Sequence, residues 1–417
     1  MNAFARIEKK QQAALSPVKK IGFLFNHEQT HQIPHSVPIM NALCEQNDAM
    51  EISVYVTGND RATFVRKMMS DTAKAKAVFH VLHPPFWART LNKVLGNAVP
   101  FERIGVLARY RFLFADLDAL VVPETTSTML KTRFGQKHLK LIFTTHGAGD
   151  RVVSFNKLLH EFDYILLPGA KEVDKLKAQQ IVLPEDKCSE VGCAKFDSIN
   201  FKVKPKFFSN DNLTVLFNPH FHPGLSCGYE YGLQVLEFFR KNPQYNLIFA
   251  PHVMMFSRFL HIGLGPLKVR RRFKVPERYM NIENILVDTG SDACVDASYT
   301  RAADVYMGDV SSQVYEFIVD PKPCIFINTH NVAWQHSPYY RNWHFGKVIA
   351  SPTELGSVLS DMSWHQDYHI EKQRRAVAET FGEQVTGASV RAANVIRQFL
   401  QQDMSLPSPA FADNSHE

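Results

Sequence analysis

Short apolar runs alternate with helix-length stretches along nearly the whole chain, and the pattern occurs in two successive series. The first contains Ile21-Gly22-Phe23-Leu24-Phe25, Ile52-Ser53-Val54-Tyr55-Val56, Leu117 to Val122, Leu139 to Phe143 and Tyr164 to Leu167, with helical spacing from Val37 to Leu43. Runs this short and apolar read as strands, and the intervals between them hold crossover helices, the arrangement of a parallel sheet. The second series has strands at Leu213 to Phe217, Leu247 to Phe249, Ile285 to Val287, Val305 to Met307 and Cys324 to Ile327. Helices are expected over Tyr231 to Lys241, near Tyr299 and over Gln313 to Val319. Between the series, Phe201-Lys202-Val203-Lys204-Pro205-Lys206 is short, basic and broken by proline.

The expectation is an α/β chain of two doubly wound, Rossmann-like halves. They span 1–205 and 206–405, with helical spacing from about Glu371 to Gln402 and a disordered tail over 406–417. Each half of this 417-residue chain is long enough to bury its own core. Doubly wound sheets bind ligands beyond the carboxyl ends of their strands, so two facing halves place the site in an interdomain cleft.

Charge and cysteine usage narrow the function classes. Lys and Arg number 47 against 41 Asp and Glu, a formal net charge of +6. That bias suits phosphates or an anionic surface, and neither a nucleic-acid motif nor a long basic tail accompanies it. The longest apolar runs fall well short of the roughly 20 residues of a membrane span. The polar N-terminus lacks a secretory h-region, so a cytoplasmic protein is expected. Six cysteines without CxxC pairing suggest buried thiols, with no metal site and no cofactor.

Chemistry is therefore sought just after strands. Thr144-Thr145-His146-Gly147-Ala148-Gly149-Asp150-Arg151 follows the strand ending at Phe143, and His146 is suited to accept a proton near neutral pH. Pro251-His252 occupies the same topological position in the second half. After Met307, the turn Gly308-Asp309-Val310-Ser311-Ser312 opens a helix whose N–H groups and serine hydroxyls suit a diphosphate; the plainer alternative is a serine N-cap closed by Glu316. The loop from Asn26 to His35, with His27, Glu28 and His31, lies where an acceptor would sit. Asn218-Pro219-His220 faces the cleft on the donor side. Two basic stretches stand apart: Arg89 to Arg111, suited to an anionic membrane surface or to an amphipathic helix packed on its own domain, and Lys268 to Lys274, suited to phosphate contact or to a solvated face.

The run Ala303 to Phe317, followed by Lys322-Pro323, resembles the D-Y-S-S…F-D-F…K-P signature of the CDP-glycerol glycerophosphotransferase family, the teichoic acid polymerases and their relatives. His146-Gly147 is similar to the family's H-G loop, His252 to its second histidine, and Gly192 to Asp197 to its G-x-x-(R/K)-x-D segment. Gly387-Ala388-Ser389 with Arg391 is similar to its closing stretch. The resemblance covers roughly 139 to 395 and implies a GT-B fold.

It also implies transfer of an alditol phosphate from a CDP-activated donor to a hydroxyl of a polymer or lipid-linked acceptor. His146 is then the general base. His252, Gly147, Asp309, Ser311 and Ser312 hold the diphosphate, with Arg151, Asn218 and His220 as further donor contacts and His27 and Glu28 on the acceptor. A peripheral contact with the inner face of the membrane goes with a lipid-linked acceptor. The chain departs from the family at Ala148-Gly149-Asp150-Arg151 and at Ala250-Pro251-His252-Val253. A nucleotide-sugar glycosyltransferase, a UDP-N-acetylglucosamine 2-epimerase-like enzyme and a non-catalytic nucleotide-binding module remain as alternatives.

Overall fold

The computed structural model describes residues 18–27, 30–46, 50–95, 99–145, 149–150, 157–181, 184–257, 259–263 and 267–402. Two parallel sheets organise them. The first contains β1 (Lys19–Phe25), β2 (Met50–Thr57), β3 (Val78–Leu82), β4 (Ala119–Val122), β5 (Lys140–Thr144), β6 (Tyr164–Leu167) and β7 (Cys188–Glu190). The second contains β8 (Leu213–Asn218), β9 (Tyr245–Phe249), β12 (Ile285–Val287), β13 (Val305–Gly308), β14 (Cys324–Ile327) and β15 (Lys347–Ile349). Between β9 and β12, β10 (Leu260–Gly263) and β11 (Lys268–Arg271) form a separate antiparallel pair.

The strand orders are β3-β2-β1-β4-β5-β6-β7 and β12-β9-β8-β13-β14-β15. Leaving out the small hairpin, both begin with the doubly wound order 3-2-1-4-5-6, in which the chain reverses direction beside the first strand. The switch points fall between β1 and β4 and between β8 and β13.

Both faces of each sheet are covered, which is why the central strands read as continuous apolar runs rather than as alternation. Phe23, Val54, Val121 and Ile142 pack on one face of the first sheet; Leu24, Leu120, Leu141 and Phe143 pack on the other with Val106, Leu107 and Phe114 from helix Phe101–Phe114. In the second sheet Leu216, Ile248, Tyr306 and Phe326 face one way, and Val215, Phe217, Leu247 and Phe249 the other.

The C-terminal helices cross between the halves. The stretch from Glu371 to Gln402 is two helices, Asp367–Phe381 and Ala388–Gln402, parted at Gly382 and Gly387, whose φ values of 82° and 78° are strained for any residue with a Cβ. Chain order groups the last helix with the second half. Its packing does not: Ala388, Ala392, Ala393, Ile396 and Leu400 belong to the core of the first sheet, beside helix Val37–Gln46.

Asp197 holds the start of that helix. Its carboxylate accepts the N–H of Gly387 at 2.5 Å and of Ser389 at 2.7 Å, and the Ser389 hydroxyl at 2.5 Å. A carboxylate at a helix N-terminus satisfies orphan donors and opposes the positive dipole end. Arg391 donates back to the Val191 carbonyl at 3.0 Å. The Gly192–Asp197 and Gly387–Arg391 segments are thus one clasp.

A second crossing sets helix Asp367–Phe381 against helix Ala170–Ala178 of the first half. A Cβ on Gly169 would stand 2.7 Å from the Thr380 carbonyl oxygen and 2.8 Å from that of Glu379. Backbone cannot swing aside as a side chain can, so Gly169→Ala is expected to cost about 1–3 kcal/mol. A urea midpoint unchanged from wild type would contradict that packing.

Candidate functional site

The two switch points and the neighbouring strand ends meet in one cleft of about 430 Å³. From the first half it is lined by His31, His35, Thr145, Gly149, Glu172, Lys175 and Lys195, and from the second by His220, Phe221, His252, Ser312 and Glu316 among others.

Asp309 organises the second half of this cleft. It follows β13, is fully buried, and its carboxylate accepts three main-chain N–H groups: His220 at 2.9 Å, Cys227 at 2.8 Å and Val310 at 2.6 Å. Its own carbonyl accepts Asn342 Nδ2 at 2.8 Å and Trp343 Nε1 at 3.0 Å. Burial pushes the Asp309 carboxyl up to about 6, opposed by the three N–H donors. Ser311, also buried, donates to Asn218 Oδ1 at 2.6 Å, while Asn218 Nδ2 reaches the Ala250 carbonyl at 2.7 Å. Asp309, Ser311 and Asn218 therefore knit together the loops after β8, β9 and β13 from behind.

In front of that framework stand Ser312, His220 and His252. Ser312 lines the cleft before helix Gln313–Phe317 and makes no side-chain cap bond to it. Glu316 does not close a capping box either. Both its carboxylate oxygens take Lys195 Nζ at 2.7 Å, a pair that joins the halves across the cleft floor. With only five helical residues behind Ser312, little macrodipole accumulates there.

His252 is half-buried beside Phe221, with ring centroids 4.9 Å apart, and lies 5.6 Å from His220 and 5.5 Å from His31 of the opposite half. Burial, then the neighbouring His220, lowers its pKa to about 3. The ring is neutral at pH 7. Nδ1 accepts the Met254 N–H at 3.3 Å, which assigns the remaining proton to Nε2. His220 and His222 are held alike, Nδ1 accepting from the N–H of His222 at 3.0 Å and of Gly224 at 3.2 Å.

On the first-half side, Lys175 donates to the Gly149 carbonyl and to Glu172 Oε1, the latter at 2.7 Å. Behind them Asp150 is a buried junction between the halves. It accepts the Tyr315 hydroxyl and the Asn342 N–H, the latter at 2.9 Å, and faces Lys171 Nζ at 3.4 Å. Burial lowers the Lys171 pKa to about 8 despite that partner.

Of the residues singled out in the sequence, His220, His252 and Ser312 line the cleft, and Asn218, Asp309 and Ser311 support it. His27 is buried at the end of β1 and does not line it, whereas His31 and His35 of the same loop do. His146, Gly147, Arg151 and Glu28 lie outside the described residues; Thr145 and Gly149, on either side of the first two, both line the cleft. Sequence spacing did not point to Lys195, Glu172 or Lys175. The first was visible only as the basic position of the Gly192–Asp197 segment. Among the described residues no group of three or more His, Cys, Asp or Glu is disposed to hold a metal ion.

Two Rossmann-like sheets whose strand ends face a shared cleft, with the C-terminal helix returning to the first sheet, constitute a GT-B fold. No protein-family model and no curated protein matches the chain. Solved structures do, at identities that speak for the fold alone. A variant of the wall teichoic acid polymerase TagF soaked with CDPG is similar over 95% of this chain and 92% of its own, with TM-score 0.59 and 12% identity. MnaA of S. aureus with UDP covers 94% and 99% at TM-score 0.59 and 13% identity. The UDP-GlcNAc 2-epimerase of Neisseria meningitidis bound to UDP-GlcNAc covers 92% and 100% at TM-score 0.56 and 14% identity.

Proposed function

We propose that the protein is a transferase that moves an alditol phosphate, glycerophosphate in the first instance, from a CDP-activated donor to a hydroxyl of a cell-surface polymer or its lipid-linked precursor. The observation that carries this reading is the Asp309–Ser311–Asn218 framework, which presents Ser312, His220 and His252 together on one wall of a two-sided cleft. Proteins of the same fold bind CDPG and UDP, which supports a nucleotide-linked donor.

In the proposed reaction the acceptor oxygen forms a bond to the β-phosphorus, the bridging P–O bond breaks, and CMP departs with the electron pair. The hydroxyl proton passes to His146. The neutral His252 donates Nε2–H to a phosphate oxygen, and Ser312 and His220 complete the donor contacts. An adjacent diphosphate favours the imidazolium form and raises the His252 pKa. In the free protein the His252 ring resonances are expected to stay unchanged between pH 8 and 5, and to titrate within that range once CDP is bound. A ring titrating near its ordinary value in free protein would contradict the neutral assignment.

A second reading, a nucleotide-sugar enzyme without an acceptor, draws on the equal likeness to the epimerases. Calorimetric titration with CDP-glycerol and UDP-GlcNAc tests the donor preference directly: the transferase reading expects CDP-glycerol to bind at least tenfold more tightly, and the reverse order overturns it.

The lipid-linked acceptor places the protein at a membrane surface. No helix among the described residues is long and apolar enough to cross one. Helices Phe86–Leu95 and Phe101–Phe114 instead expose Phe86 (77%), Trp87 (49%) and Phe112 (73%) near Arg89, Arg109 and Arg111. Exposed aromatics interspersed with cations fit an anionic interface. Phe86→Asp combined with Phe112→Asp is expected to reduce co-sedimentation with phosphatidylglycerol vesicles at least fivefold while leaving CDP-glycerol affinity unchanged. Undiminished sedimentation would exclude this face.

A further inference from the structure

Away from the cleft, a second cavity of about 380 Å³ opens at the seam where helix Ala170–Ala178 of the first half meets helix Asp367–Phe381 and the segment Pro338–Phe345 of the second. It shares no lining residue with the cleft. The buried Asp150–Tyr315–Lys171 junction belongs to its inner wall through Lys171 and Tyr315.

Cations outnumber carboxylates in the lining. Lys171, Arg341, Lys372 and Arg375 face a single carboxylate, Glu379. Glu379 spaces the two arginines, taking Arg341 Nη2 at 2.8 Å and Arg375 Nε at 2.7 Å. Each guanidinium carries five N–H donors, so neither is exhausted by one bond. His336 and His344 add two imidazoles, and His344 sits below its ordinary pKa through burial and the nearby Lys372, His336 and Arg341.

Thr380 lines the cavity, is fully buried, and its Oγ1 has no hydrogen-bond partner among the described residues.

We infer that this seam cavity is a phosphate-binding site distinct from the cleft, in which Arg341, Lys372 and Arg375 receive the oxyanion. A tetrahedral oxyanion accepts from the guanidinium N–H groups that Glu379 leaves unused. The same chemistry belongs to free inorganic phosphate and to the phosphodiester of a polyol-phosphate chain. Because its walls come from both halves, occupancy favours their present juxtaposition.

The test uses the full chain and two probes, sodium phosphate and a short glycerol-phosphate oligomer, at constant ionic strength with chloride as the control. Each is titrated while the His336 and His344 ring resonances are followed, in wild type, in Lys372→Ala with Arg375→Ala, and in Ser312→Ala with His252→Ala. Saturable shifts of both rings are expected in wild type. Affinity should fall at least tenfold in the seam variant and stay within twofold in the cleft variant. An oligomer binding more than tenfold tighter than phosphate identifies a chain segment as the ligand, and equal affinity identifies free phosphate. Unmoved His336 and His344 resonances in wild type, or undiminished affinity in the seam variant, overturns the site. Arg375 is largely exposed (78% of its side chain), so the seam variant is expected to fold. Failure of the cleft variant to lose CDP-glycerol binding counts against the transferase reading and leaves the seam site standing.

Discussion

His252→Ala is expected to lower the rate of CMP release from CDP-glycerol by about 10²- to 10⁴-fold. The basis is the ring's environment. Burial and His220 hold it neutral, and the Met254 N–H fixes the proton on Nε2, so the group is a preset donor rather than a cation waiting in the apo cleft. His252→Asn keeps an N–H donor and is expected to recover about tenfold of the loss, whereas a requirement for a proton in flight would leave Asn as inactive as Ala.

The variant also has a stability signature. The folded pKa of about 3 lies below the ordinary histidine value of 6.5, so the unfolded chain binds the proton more readily. Wild type therefore loses stability on this account as pH falls from about 6.5 towards 3, and His252→Ala is expected to show a flatter dependence across that window. Turnover within twofold of wild type would remove His252 from the chemistry.

Asp309→Ala is expected to destabilise the protein by about 3–5 kcal/mol, because three buried N–H groups lose their acceptor together. Oδ1 serves His220 and Val310, and Oδ2 serves Cys227. Asn in its place keeps one oxygen for the first two and turns an amide donor towards the Cys227 N–H. Asp309→Asn is thus expected to cost less, about 1–3 kcal/mol. With a folded pKa of about 6, above the 3.8 of an ordinary aspartate, the carboxyl favours the folded state most below pH 4, and that contribution fades as pH rises through 6. Urea unfolding at pH 7.5 measures all three proteins. A loss under 1 kcal/mol for the alanine variant would mean that the loops after β8 and β13 are held by something other than this carboxylate.

The interior strands were legible because a strand covered on both faces must be apolar along its central residues, as β1, β5, β8, β13 and β14 are. The edges were not. β3, β7 and β15 are short and partly exposed, so their side chains carry no continuous apolar signal, and β11 reads as part of a basic run. The packing of Ala388–Gln402 on the first sheet was equally hidden, since an amphipathic helix shows which face it buries and not against what. For the candidate site, position after a strand was informative for His220, His252 and Ser312. It was uninformative about which polar residues turn inward: Asp309, Ser311 and Asn218 became supports, and Glu316 reached across to Lys195 instead of its own helix. Such pairings join residues more than 80 positions apart, and no local spacing encodes them.

Phosphorus NMR of the wild-type protein with CDP-glycerol and a polyol-phosphate acceptor reports donor, leaving group and product in one spectrum. The transferase reading predicts that the diphosphate signals decay while CMP and a new phosphodiester grow in equal amounts, only with acceptor present, and that both products disappear in His252→Ala and Ser312→Ala. Persistence of CDP-glycerol, together with acceptor-independent conversion of a UDP-sugar by the same preparation, would contradict it.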